Sequence, residues 1–194
     1  MPDPNPSRVS LYVNDALYAR VVEQFADWRE DDALIADMSI RDAAAQLLAR
    51  EARLLDGHDY DRWLDMYAPE CIYWVPGTPE RGDPRREIAI SFDDRRRMED
   101  RVYRLRTGHA WSQAPRSRTA RLVTNVEVFA TSRPDARMVR SNFLVTEFWG
   151  EETRILSGWT GHRIVETDGA WRIEVKQVNL IDCDQCIRNP SIIL

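Results

Sequence analysis

The C-terminal part of the sequence alternates apolar and polar residues along four long runs, and this pattern restricts the possible folds most strongly. The runs are RTARLVTNVEVFAT (118–131), MVRSNFLVTEFW (138–149), RILSGWTGHRIVE (154–166) and AWRIEVKQVNLID (170–182). Alternation with a period of two predicts β-strands. The links between the runs are short, and the last one contains Asp-Gly, which favours a tight hairpin. We therefore predict an antiparallel meander of four strands.

Helical spacing is clearest in the segment SIRDAAAQLLAREARLLDG (39–57). Apolar residues recur there every three or four positions and form one continuous face. Ser39 is the expected N-cap of this helix, because a serine side chain can accept a hydrogen bond from the first turn. Gly57 is the expected C-terminal stop. The segment therefore predicts an amphipathic helix.

Shorter elements lie between this helix and the meander. A second helix is expected in DYDRWLDMYA (59–68), ended by Pro69. CIYWVP (71–76) predicts a strand, the polar stretch 77–87 a loop, and DDRRRMEDRVYRLRT (93–107) a third helix. Helices followed by a meander predict an α+β fold, in which a strongly curved, mainly antiparallel sheet wraps around the N-terminal helices.

The chain has 194 residues, of which 43% are hydrophobic, and this suits one compact domain with an added arm. We place the arm at residues 1–38 and the main domain at residues 39–194. The arm begins with a polar, Pro-rich stretch. It is expected to be partly helical, because Leu17, Val21 and Phe25 recur at every fourth position.

Composition excludes several classes of partner. The net charge of −5 argues against a nucleic-acid surface, which would normally be basic. No stretch approaches the roughly 18 apolar residues of a membrane span. The N-terminus lacks the basic and apolar regions of a secretory signal, so we expect a cytoplasmic protein. The odd set of Cys71, Cys183 and Cys186 has no disulfide-framework spacing, which fits a reducing compartment.

Motifs for metals and nucleotides are nearly absent from the sequence. Cys183 and Cys186 have Cys-x-x-Cys spacing, but a structural zinc site needs four ligands, and packing of the tail is the alternative for this pair. No two histidines have metal-ligand spacing, and the Cys-x-His motif of a Rieske cluster is missing. Gly-rich phosphate loops and the Gly-x-Ser-x-Gly motif are missing as well.

Acid–base chemistry is the remaining possibility for this chain on its own. A sheet wrapped around helices encloses a pocket, and Asp61 with His109 or His162 would be a candidate pair for moving a proton inside it. The alternatives are structural. Asp61 can cap a helix, and a histidine on an apolar strand face is usually a hydrogen-bonded packing residue.

Three blocks of the sequence resemble one family closely: residues 51–76, residues 93–128 and the ending NPSIIL (189–194). The family is the small, or beta, subunit of aromatic-ring-hydroxylating dioxygenases, which are Rieske non-haem iron oxygenases. The matching residues are Tyr60, Trp63, Leu64, Tyr73, Pro76, Asp93, Asp94, Arg101, Val102, Arg104, Leu105, Ala110, Trp111, Pro115, Ser117, Arg118, Thr119, Val123, Asn125, Val126, Asn189, Ser191 and Leu194.

The resemblance implies a cone-shaped fold of the nuclear-transport-factor-2 or scytalone-dehydratase type. It implies a non-catalytic structural subunit in an α3β3 hexamer that hydroxylates or cis-dihydroxylates an aromatic compound. In that family the large (alpha) subunit holds the Rieske [2Fe-2S] cluster and the mononuclear non-haem Fe(II). A ferredoxin or reductase supplies electrons to the large subunit. By this resemblance the present chain has no catalytic, cofactor-binding or metal-binding residues of its own.

Arginine and aromatic residues are enriched at protein interfaces, because guanidinium groups pair in a bidentate manner and stack on rings. The alternative is intramolecular: Arg118 with Asp93 or Asp94 would then lock the loop after the third helix. The tail is too apolar to remain in water, so we expect it to be buried against the sheet or a partner. The candidate interface or junction residues are Arg101, Arg104, Trp111, Arg116, Arg118, Ile193 and Leu194.

Two other functions remain open at the level of sequence. One is a free-standing dehydratase or isomerase that uses Asp61 with His109 or His162. The other is a ligand-binding or dimerising cone domain without catalysis.

Overall fold

The computed structural model describes residues 14–26, 28–79, 83–107, 110, 113–185, 189 and 191–194. Its helices are α1 (Asp15–Gln24), α2 (Met38–Asp56), α3 (Tyr60–Leu64) and α4 (Arg95–Thr107), with a short 3₁₀ turn at Asp31–Ala33. Its strands are β1 (Tyr67–Pro76), β2 (Ala89–Asp94), β3 (Arg118–Ala130), β4 (Ala136–Trp149), β5 (Glu152–Thr167) and β6 (Ala170–Leu180). The predicted α+β class is confirmed. No helix in these ranges is long and apolar enough to cross a lipid bilayer.

The strands form one sheet in the order β2-β1-β6-β5-β4-β3. The predicted meander is confirmed, since β3 to β6 are successive antiparallel neighbours. The strand β1 joins the meander by parallel pairing with β6, and β2 extends the sheet antiparallel to β1. Asp168 and Gly169 turn the chain between β5 and β6 with φ of 52° and 72°, the left-handed conformation that a two-residue hairpin turn needs.

The helix α2 begins two residues earlier than the predicted cap would allow, so the assignment of Ser39 as N-cap is wrong. Asp37 is the cap, and its carboxylate accepts a hydrogen bond of 2.8 Å from the Ser39 backbone N–H. A carboxylate at this position also suits the positive end of the helix dipole. The predicted stop at Gly57 is confirmed.

The predicted second helix is too long. The helix α3 ends at Leu64, and Pro69 lies inside β1 instead of terminating a helix. Proline has no N–H to donate to a neighbouring strand. Accordingly, the pairing of β1 with β6 shifts register between Tyr67 and Ile72, around Pro69.

The predicted third helix starts too early, because β2 occupies residues up to Asp94. Asp94 instead sits just before α4, where its carboxylate accepts a hydrogen bond of 2.9 Å from the Arg97 backbone N–H. The acidic pair Asp93-Asp94 therefore ends a strand and caps a helix.

Both faces of the sheet are covered, and β1 shows this directly. Tyr73 and Val75 belong to the core cluster with α2, α3 and α4, whereas Ile72 and Trp74 belong to a second cluster on the opposite face. We call the helix-covered side the inner face and the opposite side the outer face. Because β1 is buried on both faces, its sequence lacks simple alternation.

The segment 14–35, with Asp27 outside the described residues, crosses the outer face from one edge of the sheet to the other. Near β2, Tyr18 stacks on Phe92 with 5.0 Å between ring centroids. Near β3, Trp28 meets Phe129 edge-on at 5.5 Å. The Ile35 N–H then donates to the Val128 carbonyl at 2.8 Å, and the chain enters α2 on the inner face. The boundary at residues 38 and 39 remains a prediction.

Two glycines of β5 allow close approaches to the strand. A Cβ atom at Gly158 would lie 1.9 Å from the Asn179 carbonyl oxygen of β6. A Cβ atom at Gly161 would lie 3.1 Å from the Trp28 ring and 3.2 Å from the Phe25 ring. Gly161 therefore leaves the space that the aromatic residues of segment 14–35 occupy.

Candidate functional site

A cluster of ionisable side chains lies inside the cone, between α2 and the inner face of the sheet. Glu51 of α2, His162 of β5 and Lys176 of β6 are 3%, 2% and 4% exposed. One oxygen of Glu51 lies 3.0 Å from the Lys176 ammonium, and the other lies 3.3 Å from His162 Nε2. The first oxygen also accepts hydrogen bonds of 3.1 Å from Trp63 Nε1 and from the Tyr67 hydroxyl.

Regular secondary structure brings these three groups together. Glu51 lies between Leu48 and Leu55 on the inner side of α2, at the spacing that faces the core. His162 and Lys176 are directly opposite each other in the β5–β6 ladder, so both side chains project to the same face. The sequence prediction included His162 but missed Glu51 and Lys176. The sequence signal that could have identified Glu51 is a charged residue on the otherwise apolar face of a predicted helix.

In this cluster, burial opposes the charged forms and the opposite charges counteract burial. Burial lowers the pKa of Lys176, with Glu51 opposing this effect. Burial on its own would raise the pKa of Glu51, but Lys176, His162 and the Trp63 hydrogen bond together hold it well below its ordinary value. Burial lowers the pKa of His162, with Glu51 opposing this effect. We therefore describe Glu51 as an anion paired with Lys176, and His162 as a neutral imidazole at pH 7.

A small cavity of about 30 Å³ adjoins the cluster. Its apolar walls include Leu48, Val123 and Phe143, and its polar lining includes Arg121, along with the cluster residues. The Ser141 and Thr160 hydroxyls also line it and are 2.7 Å apart. A cavity this size has room for about one or two water molecules, whereas a benzene-sized molecule needs roughly 150 Å³. The pair of Glu51 and His162 therefore has no space for an aromatic substrate beside it in this structure.

The structure does not pair Asp61 with His162, one of the two histidines proposed for it. The Asp61 side chain is 63% exposed and forms an ion pair of 2.9 Å with Arg106 of α4. The acid that faces the buried His162 is Glu51 instead. His109 lies outside the described residues.

Arg101 binds within its own chain. Its guanidinium donates to Asp93 at 2.6 Å and to the Ser91 hydroxyl at 2.7 Å, and its side chain is 16% exposed. These contacts join α4 to β2. Asp93, which the sequence suggested as a partner of Arg118, is thus paired with Arg101.

Three of the other candidate arginines are on the surface. Arg104, Arg116 and Arg118 are exposed, and the Arg118 guanidinium lies 4.6 Å from the centroid of the exposed Phe148 ring. Trp111 lies outside the described residues. These positions leave the arginines accessible to a partner, and their role in an interface remains a prediction.

The tail packs into the same chain. Ile192, Ile193 and Leu194 are buried in the inner core cluster. The Leu194 N–H donates to the Tyr73 hydroxyl at 2.9 Å. Asn189 donates to the buried Glu147 at 2.6 Å. In this chain the tail therefore covers one side of the cone interior.

The cysteines show no metal-site geometry in the part of the chain that is described. Cys71 and Cys183 are free and buried, and Cys186 lies outside the described residues. Burial raises the pKa of Cys71 to about 12, so this thiol is unreactive at neutral pH. Within the described ranges, no three His, Cys, Asp or Glu side chains are grouped so that they could hold a metal ion.

Comparisons with known proteins agree with the resemblance noted in the sequence. The family model described as "Ring hydroxylating beta subunit" matches residues 50–185. The small subunit of 2-halobenzoate 1,2-dioxygenase from Burkholderia cepacia is 40% identical over 84 residues, which cover 41% of this chain and 51% of that protein. The small oxygenase component of the p-cumate 2,3-dioxygenase system from Pseudomonas putida is 32% identical over 139 residues, covering 71% and 77%.

A solved structure confirms the fold. The beta subunit of the benzoate 1,2-dioxygenase from Burkholderia mallei superposes with a TM-score of 0.62 at 27% identity, covering 80% of this chain and 98% of that one. The predicted nuclear-transport-factor-2-like cone is therefore confirmed. The chain spans between half and three fifths of the length of several curated relatives that it matches, with values of 51% to 59%.

Proposed function

Because this chain belongs to the family of ring-hydroxylating beta subunits, we propose that it is the small subunit of an oxygenase that hydroxylates or cis-dihydroxylates an aromatic compound. The family match over residues 50–185 is the observation that carries the proposal. The match includes all six strands, α3, α4 and the C-terminal end of α2, and so concerns the folded body of the protein.

We assign the redox chemistry to the partner subunit. The described residues offer no group of side chains that could hold a metal ion. The Rieske [2Fe-2S] cluster and the mononuclear iron would be held by the large subunit, which would receive electrons from a ferredoxin or reductase. This chain would contribute a rigid support for that subunit.

The assembly in this proposal is a hexamer of three large and three small subunits. Arg104, Arg116 and Arg118 are the proposed contact residues, because they are exposed and guanidinium groups are favoured at interfaces. Arg101, Ile193 and Leu194 are proposed to act from inside the subunit, by holding the α4 junction and the tail in place.

We also propose a cytoplasmic location. The free thiols of Cys71 and Cys183 support it, because free cysteines persist in a reducing compartment.

Co-expression with the large subunit of a Rieske-type oxygenase from the neighbouring reading frame tests the proposal. The expected result is a stable complex in affinity capture and light scattering, with aromatic hydroxylation by the complex and none by the isolated chain. The variant Arg118→Glu should weaken assembly. Arg133→Glu is the matched control, since Arg133 is an exposed arginine beyond the opposite end of β3. A chain that never associates with such a large subunit contradicts the proposal.

A further inference from the structure

Two residues that line the interior cavity each have a buried polar atom with no hydrogen-bonding partner among the described residues. The atoms are Nε of Arg121 and Nδ1 of His162. Unpaired buried polar atoms are rare in folded proteins, because each one forgoes the hydrogen bond that water would supply. Two such atoms on residues of one cavity leave two hydrogen bonds available to a polar molecule placed there.

Arg121 is a cation whose other nitrogens are already engaged. The side chain is 7% exposed, and its Nη1 donates to the Asp56 carboxylate and to the Thr119 hydroxyl. Its Nη2 donates to the Ile193 carbonyl of the tail. The Nε–H of Arg121 is thus free to donate to one carboxylate oxygen, and Nη2 on the same edge would donate to the other oxygen once the Ile193 carbonyl is displaced.

The free nitrogen of His162 has the opposite preference. Its Nε2 faces the Glu51 carboxylate, which requires a proton on Nε2. Burial keeps the ring neutral at pH 7 by lowering the pKa of His162. The free Nδ1 is consequently an acceptor, which suits a water molecule or a ligand hydroxyl.

Leu194 occupies the place where the apolar part of a ligand would lie. Its side chain lines the cavity with Val123, Phe143 and Val145. The carbonyl of the preceding residue, Ile193, lies on Arg121 Nη2. The tail therefore presents a short branched alkyl group next to an oxygen bound by a guanidinium, which are the two groups of a small apolar carboxylic acid.

We propose that the interior of the cone is a binding site for a small carboxylic acid with an apolar group up to the size of a benzene ring, and that Leu194 fills this site in the structure. The acid's carboxylate would bind Arg121, and its apolar group would displace the Leu194 side chain. The existing 30 Å³ is too small on its own. Removing a leucine side chain brings such a cavity towards the roughly 150 Å³ that accepts benzene. This inference does not depend on the oxygenase assembly.

The test measures binding of benzoate and of benzyl alcohol, which has the same ring without a carboxylate, to the full chain by titration calorimetry. Leu194→Ala is expected to bind benzoate about tenfold or more tightly than the unmodified chain does. In Leu194→Ala, benzoate should bind about tenfold more tightly than benzyl alcohol. Adding Arg121→Gln should remove that preference while benzyl alcohol still binds.

Leu17→Ala is the matched control, because it deletes the same side chain from the buried cluster on the outer face. It should bind neither compound better than the unmodified chain. If Leu194→Ala does not fold, Leu194→Val is measured by the same criteria. Equal binding of the two compounds, or no gain in benzoate binding, overturns the proposal. Because the isolated chain is used, a failure here is distinguishable from a failure to assemble with a large subunit.

Discussion

The two faces of the sheet are stabilised by different kinds of contact. On the inner face, Glu51 and Lys176 form a buried ion pair within an apolar core. On the outer face, segment 14–35 packs mainly through aromatic rings, such as Trp28 on Phe129 and Phe25 on Trp74. A buried ion pair tolerates little displacement, because moving one partner away leaves the other charge buried and unpaired in the apolar interior. Aromatic packing tolerates small displacements, because its energy is spread over many weak contacts.

This difference predicts that substitutions on the inner face destabilise the whole fold, whereas substitutions on the outer face mainly release segment 14–35. The helices α2 and α3 and the strands β1, β5 and β6 all contribute to the Glu51 network. The outer cluster, in contrast, attaches one chain segment to a sheet that is already complete.

The largest effect is expected for Lys176→Met. The substitution leaves the Glu51 carboxylate buried without its cation, and breaking a buried ion pair costs about 3–5 kcal/mol of folding free energy. Urea unfolding would measure this loss. The double variant Glu51→Gln/Lys176→Met removes both charges and keeps a hydrogen-bond acceptor, so it should be clearly more stable than Lys176→Met. Equal instability of the two variants would show that charge is not the cause.

Trp28→Ala tests the outer face. Loss of a large buried aromatic side chain typically destabilises by about 3–5 kcal/mol, and we expect the low end of this range because segment 14–35 can detach. Hydrogen exchange should show lost protection in α1 and in the turn that follows, with β5 and β6 still protected. The comparison between faces fails if protection in β5 and β6 falls to the same extent.

The pH dependence should come mainly from the inner face. The pKa of folded His162 lies below its ordinary value of 6.5, so below pH 6.5 the unfolded chain binds a proton that the folded chain does not. Stability therefore falls as the pH decreases from 7 to 5, by at most about 1.4 kcal/mol per pH unit for one proton. The lowered pKa of Glu51 acts in the same direction in the ordinary carboxyl range and below it.

His162→Gln should flatten the stability profile between pH 7 and 5, as followed by thermal unfolding. His58→Gln is the matched control. The pKa of His58 is also lowered, chiefly by burial, but this side chain is only half-buried, so its substitution should change the slope less. An unchanged slope in His162→Gln would contradict the neutral state assigned to that ring.

The smallest effect is expected at the surface, where neither face is involved. Arg106→Ala removes the exposed pair with Asp61 and should change the free energy of unfolding by at most about 0.5 kcal/mol. Arg101→Ala removes half-buried hydrogen bonds to Asp93 and should lose about 1–3 kcal/mol. Urea unfolding of both variants would check this order, and a reversed order would contradict the assignment of Arg101 to the α4 junction.

Sequence predicted the meander well because its strands are long and each has one face in the core. The alternation in β4, with Phe143 and Val145 inside and Asn142 and Leu144 less buried, is a local property that needs no knowledge of partners. The strand β2 escaped prediction because it is six residues long and ends in two aspartates. One of these aspartates caps the next helix, so its sequence context favoured the helix.

The candidate site was harder to predict because its residues are far apart in the chain. Glu51 and Lys176 are 125 residues apart in the sequence. A single charged residue on the apolar face of a helix does not indicate which residue it pairs with. The tail illustrates the same limit. Its apolar character predicted burial, but only the fold shows that Leu194 meets Tyr73 of its own chain.

The course of segment 14–35 has a mechanical consequence. The sheet is open and strongly curved, and segment 14–35 spans its outer face. The segment is held near β2 by the stacking of Tyr18 and at β3 by the hydrogen bond of Ile35. A segment held at both edges of the sheet limits how far the sheet can flatten. If segment 14–35 detached, the sheet could flatten, and the space around Leu194 on the inner face would change. The aromatic residues on the outside thus help to determine how tightly the interior is closed.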